Sequence, residues 1–102
     1  PWERAKAFDG ACPIAPFLKP EALPDPQAVE LSLTVNGEPR QRGNTRQMIL
    51  GIFELIAHVS QSFSLLPGDV VLTGTPAGVA ELRPGDRLVL GLAGVTFPAR
   101  VA

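Results

Sequence analysis

A single cysteine, a single histidine, no long apolar run and no block of like charge set the first limits on this 102-residue sequence. With only Cys12 present, no intrachain disulfide can form, which fits a reducing compartment. Nine basic and ten acidic residues leave a net charge of −1. No stripe of basic residues runs along the chain, which argues against a nucleic-acid surface and against electrostatic docking to a membrane. The longest apolar stretch, Met48 to Phe53, is too short to span a bilayer. No basic region precedes an apolar one in the manner of a secretion signal. A cytoplasmic location is the expectation. The sequence starts at Pro1, in mid-phrase with Pro-Trp-Glu-Arg-Ala-Lys, and is read as part of a longer chain.

What is present suits one domain. Hydrophobic residues make up 45% of the chain, and a domain of this size buries roughly two-thirds of its unfolded surface. Five prolines between Pro13 and Pro26 forbid a helix and predict an extended loop. Val29 to Val35 alternates apolar and polar residues, the pattern of a half-buried strand. Asn36-Gly37 predicts a hairpin turn, because both residues tolerate positive φ. The return strand is expected over about Glu38 to Arg42. Gly43-Asn44-Thr45 can then cap a helix, and apolar residues at 48, 49, 52, 53, 55, 56, 59 and 63 form a helical stripe. One long helix is therefore expected over about residues 45–64. Two Pro-Gly-Asp turns, at Pro67 and Pro84, each predict a following strand. A last strand over Val95 to Val101 would be held to an edge by Pro98. The fold class is α+β, mostly β.

The segment Leu72-Thr-Gly-Thr-Pro-Ala-Gly78 is the first candidate for chemistry. Gly74 allows close approach of backbone to a ligand, Thr75 offers a hydroxyl and an amide, and Pro76 stiffens the exit. Together they suit a small carboxylate; the competing reading is an ordinary turn. Lys6, flanked by apolar residues, either points its ammonium into a pocket or snorkels at the surface. His58 has no Ser, Cys or carboxylate partner at triad or metal spacing and is read as structural. Cys12 is read as a small buried hydrophobe. The acidic residues are dispersed, and none forms a Glu-x-Glu, so no metal ligands are assigned in this chain.

The blocks Ala5-Lys-Ala-Phe-Asp9, Cys12-Pro13, Val35-Asn-Gly-Glu38, Arg40-Gln41, Gly43-Asn-Thr45, Met48-Ile49, Pro67-Gly-Asp69 and Leu72 to Val79, taken in order, resemble the fumarylacetoacetate hydrolase family. The likeness is strongest to its small acylpyruvase and oxaloacetate decarboxylase branch. It runs over almost the whole chain, as the C-terminal portion of a single catalytic domain whose N-terminal part is not included. The resemblance implies a mixed, barrel-like β-roll with few helices, and a homodimer. It also implies Mg2+ or Mn2+ held by three carboxylates, with a water-activating His–Glu pair, all upstream of the lysine block. On this chain it makes Lys6 similar to the family's active-site lysine and Thr75 similar to the threonine that holds a substrate carboxylate, with Gly74 shaping that turn.

The implied substrate is a small 2-oxo acid whose enolate is stabilised by the metal and Lys6. Water attack on a distal acyl carbonyl would give acylpyruvate hydrolysis; loss of CO2 would give oxaloacetate decarboxylation; a proton shift alone would give isomerisation. Acylpyruvate hydrolysis, with oxaloacetate decarboxylation beside it, is the first expectation. The enzymatic alternative is the isomerase or decarboxylase of aromatic-acid degradation, acting on substrates like 2-hydroxyhepta-2,4-diene-1,7-dioate. A non-catalytic binding or scaffold half is the reading from another class.

Overall fold

The computed structural model describes residues 1–102 and contains one four-stranded antiparallel sheet in the order β2-β1-β3-β4. The strands are β1 (Glu30–Val35), β2 (Glu38–Asn44), β3 (Arg87–Leu92) and β4 (Val95–Arg100). Alternation in β1 puts Leu31, Leu33 and Val35 on one face, and β1 lies between β2 and β3. The β1–β2 hairpin turns where expected: Asn36 and Gly37 take φ 52 and 83, the left-handed pair that matches strand twist. Both strand prolines lie on the sheet's edges, Pro39 in β2 and Pro98 in β4, where a missing donor costs no ladder bond. The sheet is open; the chain by itself does not close a barrel.

The helix is shorter and later than its stripe implied. Asn44 caps a single 3-10 turn over Thr45–Gln47, accepting from the Arg46 amide at 3.0 Å while Gln47 Oε1 accepts from the Asn44 amide at 2.8 Å. Met48 then turns extended, with ψ 137, which ends that turn. The helix α2 runs only over Ile52–Ser60. Its start is set by two acceptors: Gln27 Oε1 takes the Ile52 amide at 2.8 Å and Glu54 Oε2 takes the Gly51 amide at 3.2 Å. A five-residue helix, α1 (Trp2–Lys6), was not anticipated.

The two Pro-Gly-Asp turns behave alike locally and differently afterwards. Each Asp carboxylate accepts from the amide three residues back, Asp69 from Leu66 and Asp86 from Arg83, both at 2.8 Å. The second turn leads into β3, as expected. The first does not lead into a strand: residues 70–73 pair with nothing, and Val70 and Leu72 are exposed. The proline-rich segment is extended except for one 3-10 turn, Pro20–Ala22, begun by proline at its first position.

The expected core is small. Only Val29 and Val35 are buried. The exposed surface is 8442 Å², whereas a folded chain of 10.8 kDa presents about 5,500 Å². Trp2, Phe17, Phe53, Phe63 and Leu72 are among the large apolar side chains left open. Cys12, expected inside, is exposed, because no element packs over residues 7–18.

Candidate carboxylate site

Residues 73–83 pass over the face of β1 that carries Leu31, Leu33 and Val35, leaving two cavities against it. Close contacts at two glycines hold this loop on β2. A Cβ on Gly43 would lie 3.0 Å from Pro76 Cβ, and a Cβ on Gly78 would run into the Arg40 carbonyl oxygen. Between these points, Gln41 Nε2 donates to Thr75 Oγ1 and to the Pro76 carbonyl, each at 2.9 Å. Gly74 takes φ 105, a conformation that strains any residue with a side chain.

Gly74 and Thr75 line a cavity of ≈ 390 Å³, together with Asn44, Thr45, Gln47 and Thr73 on its polar side and Leu31, Met48 and Leu55 on its apolar side. This size lies within the range of small-molecule sites, about 300–1,000 Å³. Its polar groups are unequal. Thr45 has already given its one proton, donating to the Pro26 carbonyl at 2.8 Å while accepting from the Val29 amide at 2.9 Å. The oxygens of Asn44 and Gln47 serve the 3-10 turn, which leaves their amide nitrogens as donors. Thr75 accepts from Gln41 and keeps its own proton to give. No lining side chain is ionisable. The cavity can bind a small anion through neutral donors; it cannot take up or release a proton through its own walls.

Gly74 and Thr75, neighbours in sequence, both line this cavity, and Lys6 is not brought to them. Lys6 ends α1, its ammonium 5.5 Å from the Trp2 ring centroid, and lines neither cavity. His58 is in the last turn of α2, exposed. No three His, Cys, Asp or Glu side chains cluster as metal ligands do, so the donor set of these residues does not fit a divalent-metal site. Gln41 was missed as a site residue. It lies 34 positions before Thr75, and only strand topology brings the two together.

The second cavity, ≈ 650 Å³, is edged by Asn36, Arg40, Arg83 and Asp86. The Arg83 amide, then the Asn36 carboxamide, hold the Asp86 carboxyl below its ordinary value, with the Arg83 and Arg40 charges adding to the effect.

Fold and first cavity together describe an α+β domain with an uncharged pocket lined by hydrogen-bond donors. The family model for "Fumarylacetoacetate (FAA) hydrolase C-terminal" matches residues 1–101, and the chain belongs to the fumarylacetoacetate hydrolase family. It is 52% identical over 102 residues to the oxaloacetate tautomerase YcgM of Escherichia coli (strain K12), covering 99% of this chain and 47% of that protein. Its structure is similar to fumarylpyruvate hydrolase from Pseudomonas aeruginosa in complex with Mn2+ and pyruvate, with a TM-score of 0.92 and 39% identity over 100% of this chain and 44% of that one. It is also similar to 5-carboxymethyl-2-hydroxymuconate delta-isomerase from Mycobacterium smegmatis, with a TM-score of 0.91 and 40% identity over 100% and 40% of the two chains. The chain therefore spans about half the length of the relatives it matches. No helix is long and apolar enough to cross a membrane.

Proposed function

We propose that the protein containing this chain is an enzyme acting on small 2-oxo acids, with the Thr75 hydroxyl holding the substrate carboxylate and Gly74 shaping the turn around it. The observation that carries this reading is that Thr75 Oγ1, at the wall of the uncharged cavity, accepts from Gln41, which leaves its hydroxyl able to donate. A carboxylate there would receive neutral donors without meeting a competing charge. The reaction proposed first is the keto–enol interconversion of oxaloacetate, supported by the 52% identity to an oxaloacetate tautomerase. A C3 proton leaves, the electron pair moves to the 2-oxo oxygen as an enolate, and a proton returns on that oxygen. Acylpyruvate hydrolysis is the second reading, supported by the likeness to fumarylpyruvate hydrolase.

Residues 1–102 would form the C-terminal portion of the catalytic domain. The apolar surface left open, and the family description as a C-terminal region, support that role. Since the cavity wall has no ionisable group, the proton-transferring base must come from elsewhere in the protein. Lys6 is proposed to stabilise the enolate charge once the surrounding chain is in place. The cofactor is proposed to be Mg2+ or Mn2+ on ligands outside these residues, and the assembly a homodimer.

The test is an assay of the intact protein with oxaloacetate, an acylpyruvate and a hydroxymuconate-type acid, with each metal and after chelation. Enol–keto exchange of oxaloacetate without C–C cleavage, lost on chelation, is the expected result. Cleavage of the acylpyruvate as the faster reaction would move the assignment to the second reading, and inertness toward all three acids would overturn both.

A further inference from the structure

Gln41 sits where β2 departs from regular pairing. Leu33 faces Gln41 and Thr34 faces Pro39, so Arg40 is an extra residue on the β2 side. Such a bulge re-aims the side chains beside it. Here Gln41, paired with Leu33, shares the face over which residues 73–83 pass, and its carboxamide reaches the Gly-Thr-Pro loop. Its orientation is fixed by chemistry: the Pro76 carbonyl can only accept, so the nitrogen end must face it. That nitrogen has two N–H donors and no acceptor capacity. One bond goes to Pro76 and the other to Thr75 Oγ1. Thr75 therefore has a lone pair occupied and no way to spend its proton on Gln41.

We propose that Gln41 is a positioning residue that makes Thr75 a dedicated hydrogen-bond donor to the carboxylate of a 2-oxo acid in the ≈ 390 Å³ cavity. This rests on the reading of Thr75 given under Proposed function, and adds the part that fixes its polarity. Without Gln41 the Thr75 hydroxyl is free to rotate and give its proton to a nearby carbonyl or to water. Donation to the carboxylate would then compete with those other acceptors.

The experiment is a double-substitution cycle in the intact protein, read as the inhibition constant of pyruvate and as kcat and KM for oxaloacetate. Gln41→Met keeps the length of the side chain and removes its donors. It is expected to raise the pyruvate constant about tenfold, the effect of one lost or misdirected bond to a charged group, with kcat within about twofold. In a Thr75→Val background, which has no hydroxyl to orient, the same change is expected to add less than about twofold. Full multiplication of the two effects would make Gln41 a tether of the loop and overturn the proposal. Thr75→Val with unchanged constants would instead remove the carboxylate reading itself, whereas a strong Thr75→Val effect beside a silent Gln41→Met would remove the Gln41 proposal alone. Gln41→Glu, which keeps the shape, guards against a Met variant that fails to fold. Its carboxylate takes the Thr75 proton, so pyruvate binding must weaken at least as much; wild-type binding by this variant overturns the proposal.

Discussion

Asn36 and Asp86, 50 residues apart, lock two turns together: Asn36 Nδ2 donates to Asp86 Oδ1 at 2.9 Å, and Asn36 Oδ1 accepts from the neighbouring Arg87 amide at 3.0 Å. The Asn36 amide also donates to the Arg87 carbonyl at 2.8 Å. One residue thus forms the β1–β2 turn and fastens it to the start of β3. Asn suits the place twice, by tolerating positive φ and by carrying both a donor and an acceptor.

The Asp86 carboxyl is held below its ordinary value of 3.8, chiefly by the Arg83 amide and then by Asn36. A depressed folded-state value means that this contribution to stability is present above the unfolded value and is lost as pH falls through the folded one. Melting temperature in the intact protein should therefore drop more steeply below pH ~4 for the native residue than for Asp86→Asn, in which the group cannot titrate. Parallel acid limbs for the two proteins would show that Asp86 plays no part. Because hydrogen bonds lead the causes, added salt should change the difference little.

Gly78 is where the Gly-Thr-Pro loop comes down on β2. It has φ 103, and a Cβ there would strike the Arg40 carbonyl oxygen. Backbone cannot swing aside as a flexible side chain can. Gly78→Ala should destabilise the intact protein by roughly 1–3 kcal/mol and loosen the loop that carries Thr75. Urea denaturation reads the first effect and the pyruvate inhibition constant the second. A midpoint unchanged from the native protein would mean that the loop shifts freely and is not packed as described.

How legible each element was follows from how local its cause is. The alternation of β1 and the Asn36-Gly37 turn depend on neighbours in sequence, and they fold as read. Pro98 marks an edge strand because a missing N–H has the same consequence in any sheet. The helix start was misplaced because it depends on Gln27, 25 residues earlier, capping Ile52, while Asn44 and Gln47 form a separate turn. Val70 to Thr73 has good strand composition, but β-propensity expresses packing against a partner strand, and this chain offers it none. Thr75 and Gly74 were legible as a turn that could hold an anion. The bonds from Gln41 to Thr75 and Pro76 join positions 34 and 35 residues apart, which no local pattern signals.

Lys6 requires a test in the intact protein, since in this chain its ammonium stacks near Trp2 rather than beside Thr75. If it meets the enolate oxygen in the assembled site, Lys6→Ala should lower kcat/KM at least about tenfold, because charge-assisted bonds contribute ~1.5–3 kcal/mol and tenfold corresponds to ~1.4. The charge develops during reaction, so kcat should fall along with kcat/KM. Trp2→Leu, which removes only the ring, should leave kcat near its native value. Native kinetics in Lys6→Ala would return Lys6 to an ordinary surface lysine.

Thr75 offers the sharpest separation between a turn and a site. Thr→Val keeps the branched shape and removes the hydroxyl, so a threonine serving only the fold would tolerate it. Thr75 is exposed, and its Oγ1 accepts one bond, from Gln41. Losing that acceptor at the surface should alter stability by less than ~1.5 kcal/mol, since water can replace it. For a substrate carboxylate the lost bond is charge-assisted, and water replaces it less well than it replaces a bond between neutral groups. The carboxylate is bound in both ground and transition states, so its lost donor should raise KM by about ten- to a hundredfold, corresponding to ~1.5–3 kcal/mol, with kcat changed much less. Thr75→Ser, which restores a hydroxyl, should recover most of the affinity. Thr73 is a poor control, because residues 70–73 form no strand and Thr73 lines the same cavity. Thr96, exposed on the edge strand β4, serves instead. Equal and near-native KM values for Thr75→Val and Thr96→Val would reduce the Gly-Thr-Pro loop to a turn and leave the cavity without its anchoring donor.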